Sequence, residues 1–339
     1  MPPKIIATIW KKPFNEQRVE EIITAGADML RIKCSHDSPE DIVETFRLAK
    51  KLITKLGTST MLLADLPEAK IRLGDIEAPK ESVEAGRTYT LKTADTSTSI
   101  ETFIPVMHPR IAQGAKAGDR VIIGDGIAFF TVTRVISDEE MLIEAVNTAS
   151  IVRRSSVTLP ETVAAEHLTP LTWEMVAQLK TIAPEYLAFS FINGAETVRN
   201  IKKKLPDFTG NAWHPKVIAK IESAEGVSQA GSIAKEADAL MIARGDLALM
   251  TPIHKLAHIQ HDLCRIAQEA GIPSIVATAI LDSMETTLFP SRADIGDLSN
   301  IIRDNPDWIM LCRATAHSAH PGEIIGMAKK VILETQKEL

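Results

Sequence analysis

Eight short apolar runs, each followed by a segment of helical period, constrain this chain more than any other feature. The runs cover residues 4–9, 29–34, 60–66, 186–191, 216–221, 239–244, 273–278 and 307–312. They are rich in Val, Ile and Leu and are bounded by turn-forming residues, the pattern of strands buried on both faces. The intervening stretches 16–25, 40–56, 172–182, 195–205, 224–235, 255–270, 292–303 and 322–338 repeat apolar residues every three to four positions, as amphipathic helices do. Parallel strands need long crossovers, and eight strand–helix units match the count of a closed (β/α)8 TIM barrel.

One long interruption follows the third strand. Residues 75–157 carry short alternating stretches separated by turn signals such as Gly118-Asp119 and Gly124-Asp125-Gly126, with no long helical period. They predict a small antiparallel β domain inserted as a cap. Removing it leaves residues 1–74 plus 158–339, close to the ~250 residues typical of one barrel.

With 45% hydrophobic residues in 339 positions the chain can bury a large core, and its net charge of −6 argues against nucleic acid as a main ligand. It shows no signal-peptide architecture and no membrane-length apolar run, so a cytoplasmic location without membrane partners is expected. Cys34, Cys264 and Cys312 share no metal-ligand spacing and are read as reduced thiols, Cys312 as an ordinary buried one rather than a nucleophile.

Barrel chemistry belongs at the C-terminal strand tips. A period-2 strand sends Lys220 and Glu222 to one face, and Asp246 follows at the tip of the next strand. One ammonium and two carboxylates can converge there and hold a divalent metal. Parity likewise aligns Arg31, Lys33 and Ser35 on the second strand; Asp65 ends the third, with Lys70 and Arg72 just beyond; Ser190 ends the fourth, Thr278 the seventh, and Cys312-Arg313 the eighth. Four to six cations around a carboxylate pair suit an anionic, phosphate- or carboxylate-bearing substrate bridged by a metal.

These residues resemble the pyruvate kinase family. The resemblance is carried by Ala219-Lys220-Ile221-Glu222, Ala243-Arg244-Gly245-Asp246-Leu247, Ala277-Thr278, Leu281-Asp282-Ser283-Met284, Pro290-Ser291-Arg292-Ala293, Ile71-Arg72-Leu73-Gly74, Gly124-Asp125-Gly126 and the stretch from Arg31 to His36. It implies a (β/α)8 domain with a mobile lid, a small β-barrel, inserted after strand three. It further implies Glu222 and Asp246 as ligands of Mg²⁺ or Mn²⁺, and Lys220 as the cation facing the phosphoryl group and the enolate. Arg72 would bind phosphate, Arg31 would face the nucleotide, and Thr278 would lie on the side where the enol is protonated. The backbone of Ala243, Arg244, Gly245 and Asp246 would receive the substrate carboxylate, while His36 and Asp125 would lie near the nucleotide and its metal.

Departures from the family pattern are specific. Cys312-Arg313-Ala314-Thr315-Ala316 replaces Ser-Gly-Glu-Thr-Ala, losing a hydroxyl and a carboxylate of the proton relay. Pro67-Glu68-Ala69-Lys70 replaces a Lys-Gly-Pro-Glu turn. Lys33 stands in place of an asparagine ligand for potassium, Leu66 in place of a threonine, while Ser35 and Asp65 remain. With Lys70 where potassium-independent members carry lysine, the chain is expected to work without added potassium. It ends at Leu339, so no C-terminal effector domain is expected, and a homodimer through the barrel is left open. The resemblance implies phosphoryl transfer between phosphoenolpyruvate and ADP, or its reverse onto another acceptor. A metal-dependent lyase or aldolase stabilising a pyruvate enolate, and a non-catalytic phosphoenolpyruvate-binding protein, stay open beside it.

Overall fold

A computed structural model describes residues 2–10, 15–35, 38–68, 70–162, 168–210 and 212–339. Eight strands, β1 (Lys4–Ile9), β2 (Met29–Lys33), β3 (Met61–Asp65), β4 (Tyr186–Phe189), β5 (Lys216–Ile221), β6 (Ala239–Ala243), β7 (Ser274–Ala277) and β8 (Trp308–Leu311), form one closed barrel. Every pairing in the ring is parallel, and Lys4 to Ala7 pair with Trp308 to Leu311 to close it. The helices are α1 (Glu16–Thr24), α2 (Pro39–Leu56), α3 (Pro170–Leu179), α4 (Ala195–Thr209), α5 (Ala224–Ser228), α6 (Ala230–Ala234), α7 (Arg244–Met250), α8 (Leu256–Ala270), α9 (Arg292–Arg303), α10 (Arg313–His317) and α11 (Pro321–Gln336). None is long and apolar enough to cross a membrane.

Strand alternation builds two cores. Ile5, Ala7, Leu30, Ile32, Leu62, Ala64, Val217 and Ala219 point outward and pack with the helices. Their neighbours Ile6, Met29, Leu63, Tyr186, Ile218, Ala239, Ile275 and Trp308 fill the barrel interior. Both faces of each strand are therefore dry, which is why the runs read as continuous apolar sequence. Inside, odd strands supply Ile6, Leu63, Ile218 and Ile275, and even strands supply Met29, Tyr186, Ala239 and Trp308, the alternating layers of such barrels.

An acid at the start of each even strand secures the strand before it. Asp28, Glu185, Asp238 and Asp307 accept hydrogen bonds from the backbone N–H of Ile5 at 2.8 Å, Leu62 at 2.7 Å, Val217 at 2.7 Å and Ser274 at 2.9 Å. These N–H groups stand where the ladder begins and would otherwise be short of acceptors.

Two local features differ from expectation. The single helix predicted over residues 224–235 is split at Gln229 into α5 and α6. Gly226 and Gly231 weaken it, and the hydroxyls of Ser228 and Ser232 donate back to the carbonyls of Glu225 and Gln229, both at 2.8 Å. Six runs also end one or two residues sooner than predicted; in three of them Phe191 (φ 51°) and Thr278 (φ 79°) adopt left-handed conformations and Arg244 opens α7.

The chain divides into two compact units, Met1–Glu68 with Leu168–Leu247 and His254–Leu339, and Ala69–His167 with Ala248–Ile253. The second unit has its own core, including Leu73, Val83, Tyr89, Leu91, Phe130 and Ile143. Among its described residues the main sheet runs Val157–Thr158, Arg120–Ile123, Ala128–Ser137, Glu140–Ala145, Thr88–Thr93, Ile104–Val106, flanked by two two-stranded ladders. Residues 71–74 join the two edges of this sheet. The Leu73 N–H donates to the Ser155 carbonyl and the Val157 N–H to the Ile71 carbonyl, both at 2.9 Å. On the other side the Gly74 N–H donates to the Pro105 carbonyl at 2.8 Å and the Met107 N–H to the Arg72 carbonyl at 2.9 Å, so hydrogen bonds close the expected small β-barrel. The last pair of the sheet, Thr88–Thr93 with Ile104–Val106, is parallel.

Candidate active site

Polar residues begin one step above the apolar layers. Two positions beyond Ile6, Leu63, Ile218 and Ile275, the odd strands place Thr8, Asp65, Lys220 and Ala277; two beyond Met29, β2 places Arg31. Asp65, Lys220 and Arg31 are 1%, 6% and 8% exposed. Asp65 joins the two cations: Oδ2 accepts from Arg31 Nε at 2.9 Å and from Nη2, and Oδ1 lies 3.2 Å from Lys220 Nζ. Arg31 Nη1 also donates to Thr8 Oγ1 at 3.2 Å.

Lys220 Nζ donates to Ser190 Oγ at 2.7 Å and lies 3.2 Å from Glu222 Oε1 and 3.7 Å from Glu68 Oε2. Burial works against its charge, but Asp65, Glu222 and Glu68 outweigh burial and raise its pKa, favouring the ammonium form. Burial likewise opposes ionisation of Asp65, yet Lys220, Arg31 and Lys33 hold its carboxyl well below the usual range.

Glu222 behaves in the opposite way. Its carboxyl is pushed up to about 7, first by burial, with the charges of Asp246 and Glu68 adding and Lys220 opposing. The Phe191 N–H, turned inward by the left-handed backbone there, donates to Glu222 Oε2 at 2.9 Å. Asp246 sits in the first turn of α7 and acts on Glu222 through its charge. Among the described residues no group of three or more His, Cys, Asp or Glu is arranged to hold a metal. Two carboxylates are nevertheless what a Mg²⁺-like ion takes from protein when substrate oxygens and water complete its shell. A buried carboxyl whose ionisation is disfavoured by a neighbouring acid is also a group that a divalent cation would relieve.

The other residues of the sixth tip serve the backbone. The backbone of Arg244 is the part expected beside the substrate, and its guanidinium donates to Asp297 (2.8 Å to each oxygen), to Gln260 Oε1 at 3.2 Å, and to the carbonyls of Thr278 (2.6 and 3.1 Å) and Ala279 (3.3 Å). Thr278, Ala279 and Leu281 are all left-handed, at φ 79°, 56° and 55°, a conformation unfavourable for side-chain-bearing residues. Arg244 thus pins a strained turn at the seventh tip. Gly245 makes the approach possible: a Cβ there would lie 3.1 Å from Thr278 Cγ2. Ala243 is the last, buried residue of β6.

Lys33 is half-buried at the end of β2, and Ser35 follows in a turn. Burial lowers the Lys33 pKa, with Arg31 and Lys220 adding and Asp65 and Glu68 opposing, which places Lys33 in the same charge network. Lys70, Arg72 and Asp125 belong to the second unit. There Arg72 Nη1 donates to the Arg154 carbonyl at 3.2 Å. Asp125 (φ 54°) turns between Gly124 and Gly126, its N–H donating to Ser156 Oγ at 3.2 Å and its Oδ1 accepting from that hydroxyl at 2.7 Å. His36 lies outside the described residues.

The barrel unit gathers charges of both signs. Among its described residues, Arg31, Lys33 and Lys220 face Asp65, Glu68, Glu222 and Asp246. Lys70 and Arg72, also expected at this mouth, lie in the other unit, whereas Glu68, not among the expected site residues, joins the cluster. That residue, three positions past Asp65, is seated by a hydrogen bond from Ser190. Parity ends where a strand ends, so neither contact could be read from spacing.

A parallel (β/α)8 barrel with a buried lysine among carboxylates at its C-terminal mouth belongs to the barrel enzymes, whose chemistry sits at that face. Residues 2–325 match the model of the pyruvate kinase barrel domain. Pyruvate kinases of Thermococcus litoralis and Chlamydia pneumoniae are each 30% identical, over 98% and 99% of this chain and 70% and 69% of their own length. A crystal structure of a pyruvate kinase from Cryptosporidium parvum superposes with a TM-score of 0.92 at 25% identity, covering 100% of this chain and 70% of that one. The chain belongs to the pyruvate kinase family and is a pyruvate kinase-like phosphotransferase.

Proposed function

We propose that this enzyme moves a phosphoryl group between phosphoenolpyruvate and ADP, with Lys220 as the cation that meets the charge developing on the phosphoryl and enolate oxygens. The observation that carries this reading is the buried Lys220 whose Nζ lies 3.2 Å from both Asp65 and Glu222. Phosphoryl transfer asks little covalent chemistry of a protein and much positioning and charge stabilisation. Here both partner carboxylates are themselves anchored, Asp65 by Arg31 and Glu222 by the Phe191 N–H, so the ammonium does not wander.

Glu222 and Asp246 would hold Mg²⁺ or Mn²⁺, which would supply Lewis-acid polarisation of substrate oxygens. The backbone from Ala243 to Asp246 would take the substrate carboxylate, and Thr278, fixed by Arg244, would face the enol carbon. Arg72, Asp125 and His36 are assigned to phosphate and nucleotide by family resemblance alone. The relatives named pyruvate kinase support the substrate pair, and a cytoplasmic location accords with those substrates.

The test is ATP formation from phosphoenolpyruvate and ADP in the presence of Mg²⁺ or Mn²⁺. Turnover in wild type, reduced on the order of 10²-fold or more by Lys220→Met, is the expected result. Turnover unchanged by that substitution would remove Lys220 from the mechanism, and pyruvate-dependent aldehyde consumption without nucleotide would replace the proposal by a lyase.

A further inference from the structure

The Lys220 ammonium has three hydrogens and four acceptors around it: Ser190 Oγ at 2.7 Å, Asp65 Oδ1 and Glu222 Oε1 each at 3.2 Å, and Glu68 Oε2 at 3.7 Å. Asp65 and Glu222 each have their other oxygen tied to the scaffold. Glu68 reaches the ammonium through Ser190. Its Oε2 accepts the Ser190 hydroxyl hydrogen, and its side chain is 6% exposed, so water screens its charge little.

A serine hydroxyl has one hydrogen to give and lone pairs to offer. With that hydrogen directed at Glu68, a lone pair faces the ammonium. Charge-assisted hydrogen bonds are the strong ones, and linked bonds polarise one another in a dry site. Reversing the hydroxyl would aim its hydrogen at Nζ.

We propose that Glu68 is a positioning residue for Lys220: it orients and polarises the Ser190 hydroxyl, and that hydroxyl holds Nζ between Asp65 and Glu222. The consequence for turnover rests on the phosphoryl-transfer reading above, whereas the positioning itself does not. A glutamine at position 68 removes the charge and can present an N–H to Ser190, which would turn the hydroxyl around.

The experiment uses the full chain with ¹⁵N-labelled lysine. The Lys220 ammonium resonance is assigned by its loss in Lys220→Met, and kcat and KM for phosphoenolpyruvate are measured with ADP and Mg²⁺. Wild type should show a slowly exchanging Lys220 resonance. Glu68→Gln and Ser190→Ala should each shift or broaden it and lower kcat about tenfold, equivalent to ~1.4 kcal/mol, with KM within about threefold. The double variant should be no worse than either single one, and Ser190→Thr, which keeps the hydroxyl, should stay near wild type.

An unchanged resonance in Glu68→Gln, no protected Lys220 resonance in wild type, or losses that multiply in the double variant would each overturn the inference. If Glu68→Gln does not fold, the contrast between Ser190→Ala and Ser190→Thr decides it. Wild type that transfers no phosphoryl group would defeat the functional reading and leave the resonance to decide the role of Glu68.

Discussion

Lys33 brings an ammonium into a buried network that also contains Asp65 and Glu68. A fixed cation there can do the electrostatic work of a bound monovalent ion without exchanging with solvent. Rates in potassium and in tetramethylammonium salts are expected to agree within about twofold, a margin well under the tenfold that 1.4 kcal/mol of lost charge stabilisation would give; strong dependence on potassium would refute this role for Lys33. Asp65 makes a second prediction. Its folded-state pKa lies below the ordinary ~3.9, because Lys220, Arg31 and Lys33 together exceed the opposing effect of burial. The folded protein therefore binds that proton less tightly than the unfolded chain. The stability this contributes is complete above about pH 4 and is lost as pH falls below it toward the folded value. Asp65→Asn should flatten the acid limb of a stability-versus-pH curve, and an unchanged limb would mean that other carboxylates set it. Arg244→Lys should destabilise the fold by about 1–3 kcal/mol, because a lysine cannot serve Asp297, Gln260 and two carbonyls at once; thermal melting reads this out. Lys220, Glu222 and Arg31 are legible from strand parity, and Asp65 from its place at the end of a strand. Asp297 and Gln260 are not, since each reaches Arg244 from a helix far away in sequence.

At the level of elements, strand positions and most helix boundaries follow from local pattern, as the match of Arg292–Arg303 to its predicted span illustrates. Its start is marked by a reciprocal cap between Ser291 and Asp294. The acids that open the even strands are a less visible device. Asp238 accepts from the Val217 N–H and also pairs with Lys202 at 2.8 Å. Asp238→Ala leaves a buried backbone donor without its acceptor and should cost about 1–3 kcal/mol in denaturant unfolding. A loss below about 0.3 kcal/mol would mean that water or another group replaces the carboxylate. The break between α5 and α6 was missed because two glycines and two back-bonding serines act together, although each alone is tolerated in a helix.

At the scale of the molecule, the cysteines report on cooperativity. Burial, with Asp304 adding, pushes the Cys264 thiol up to about 12, and burial raises the Cys34 thiol well above its ordinary value. Native protein at neutral pH should therefore be labelled by an alkylating reagent first at half-buried Cys312, while Cys34 and Cys264 react at the rate of unfolding. Fast labelling of Cys264 would indicate local opening around α8. The sequence by itself determined the alternation of eight strands with helices and the face of each strand on which Lys220, Asp65 and Arg31 lie, because side-chain direction along a strand is a local property of the backbone. Only the tertiary structure decided which of those groups meet. Joining β1 to β8 brings Lys4 opposite Trp308, and the same closure sets Asp65 between Arg31 and Lys220 and admits Glu68 to the cluster. Such contacts are fixed by ring closure and loop paths over long sequence separations, which no local periodicity encodes.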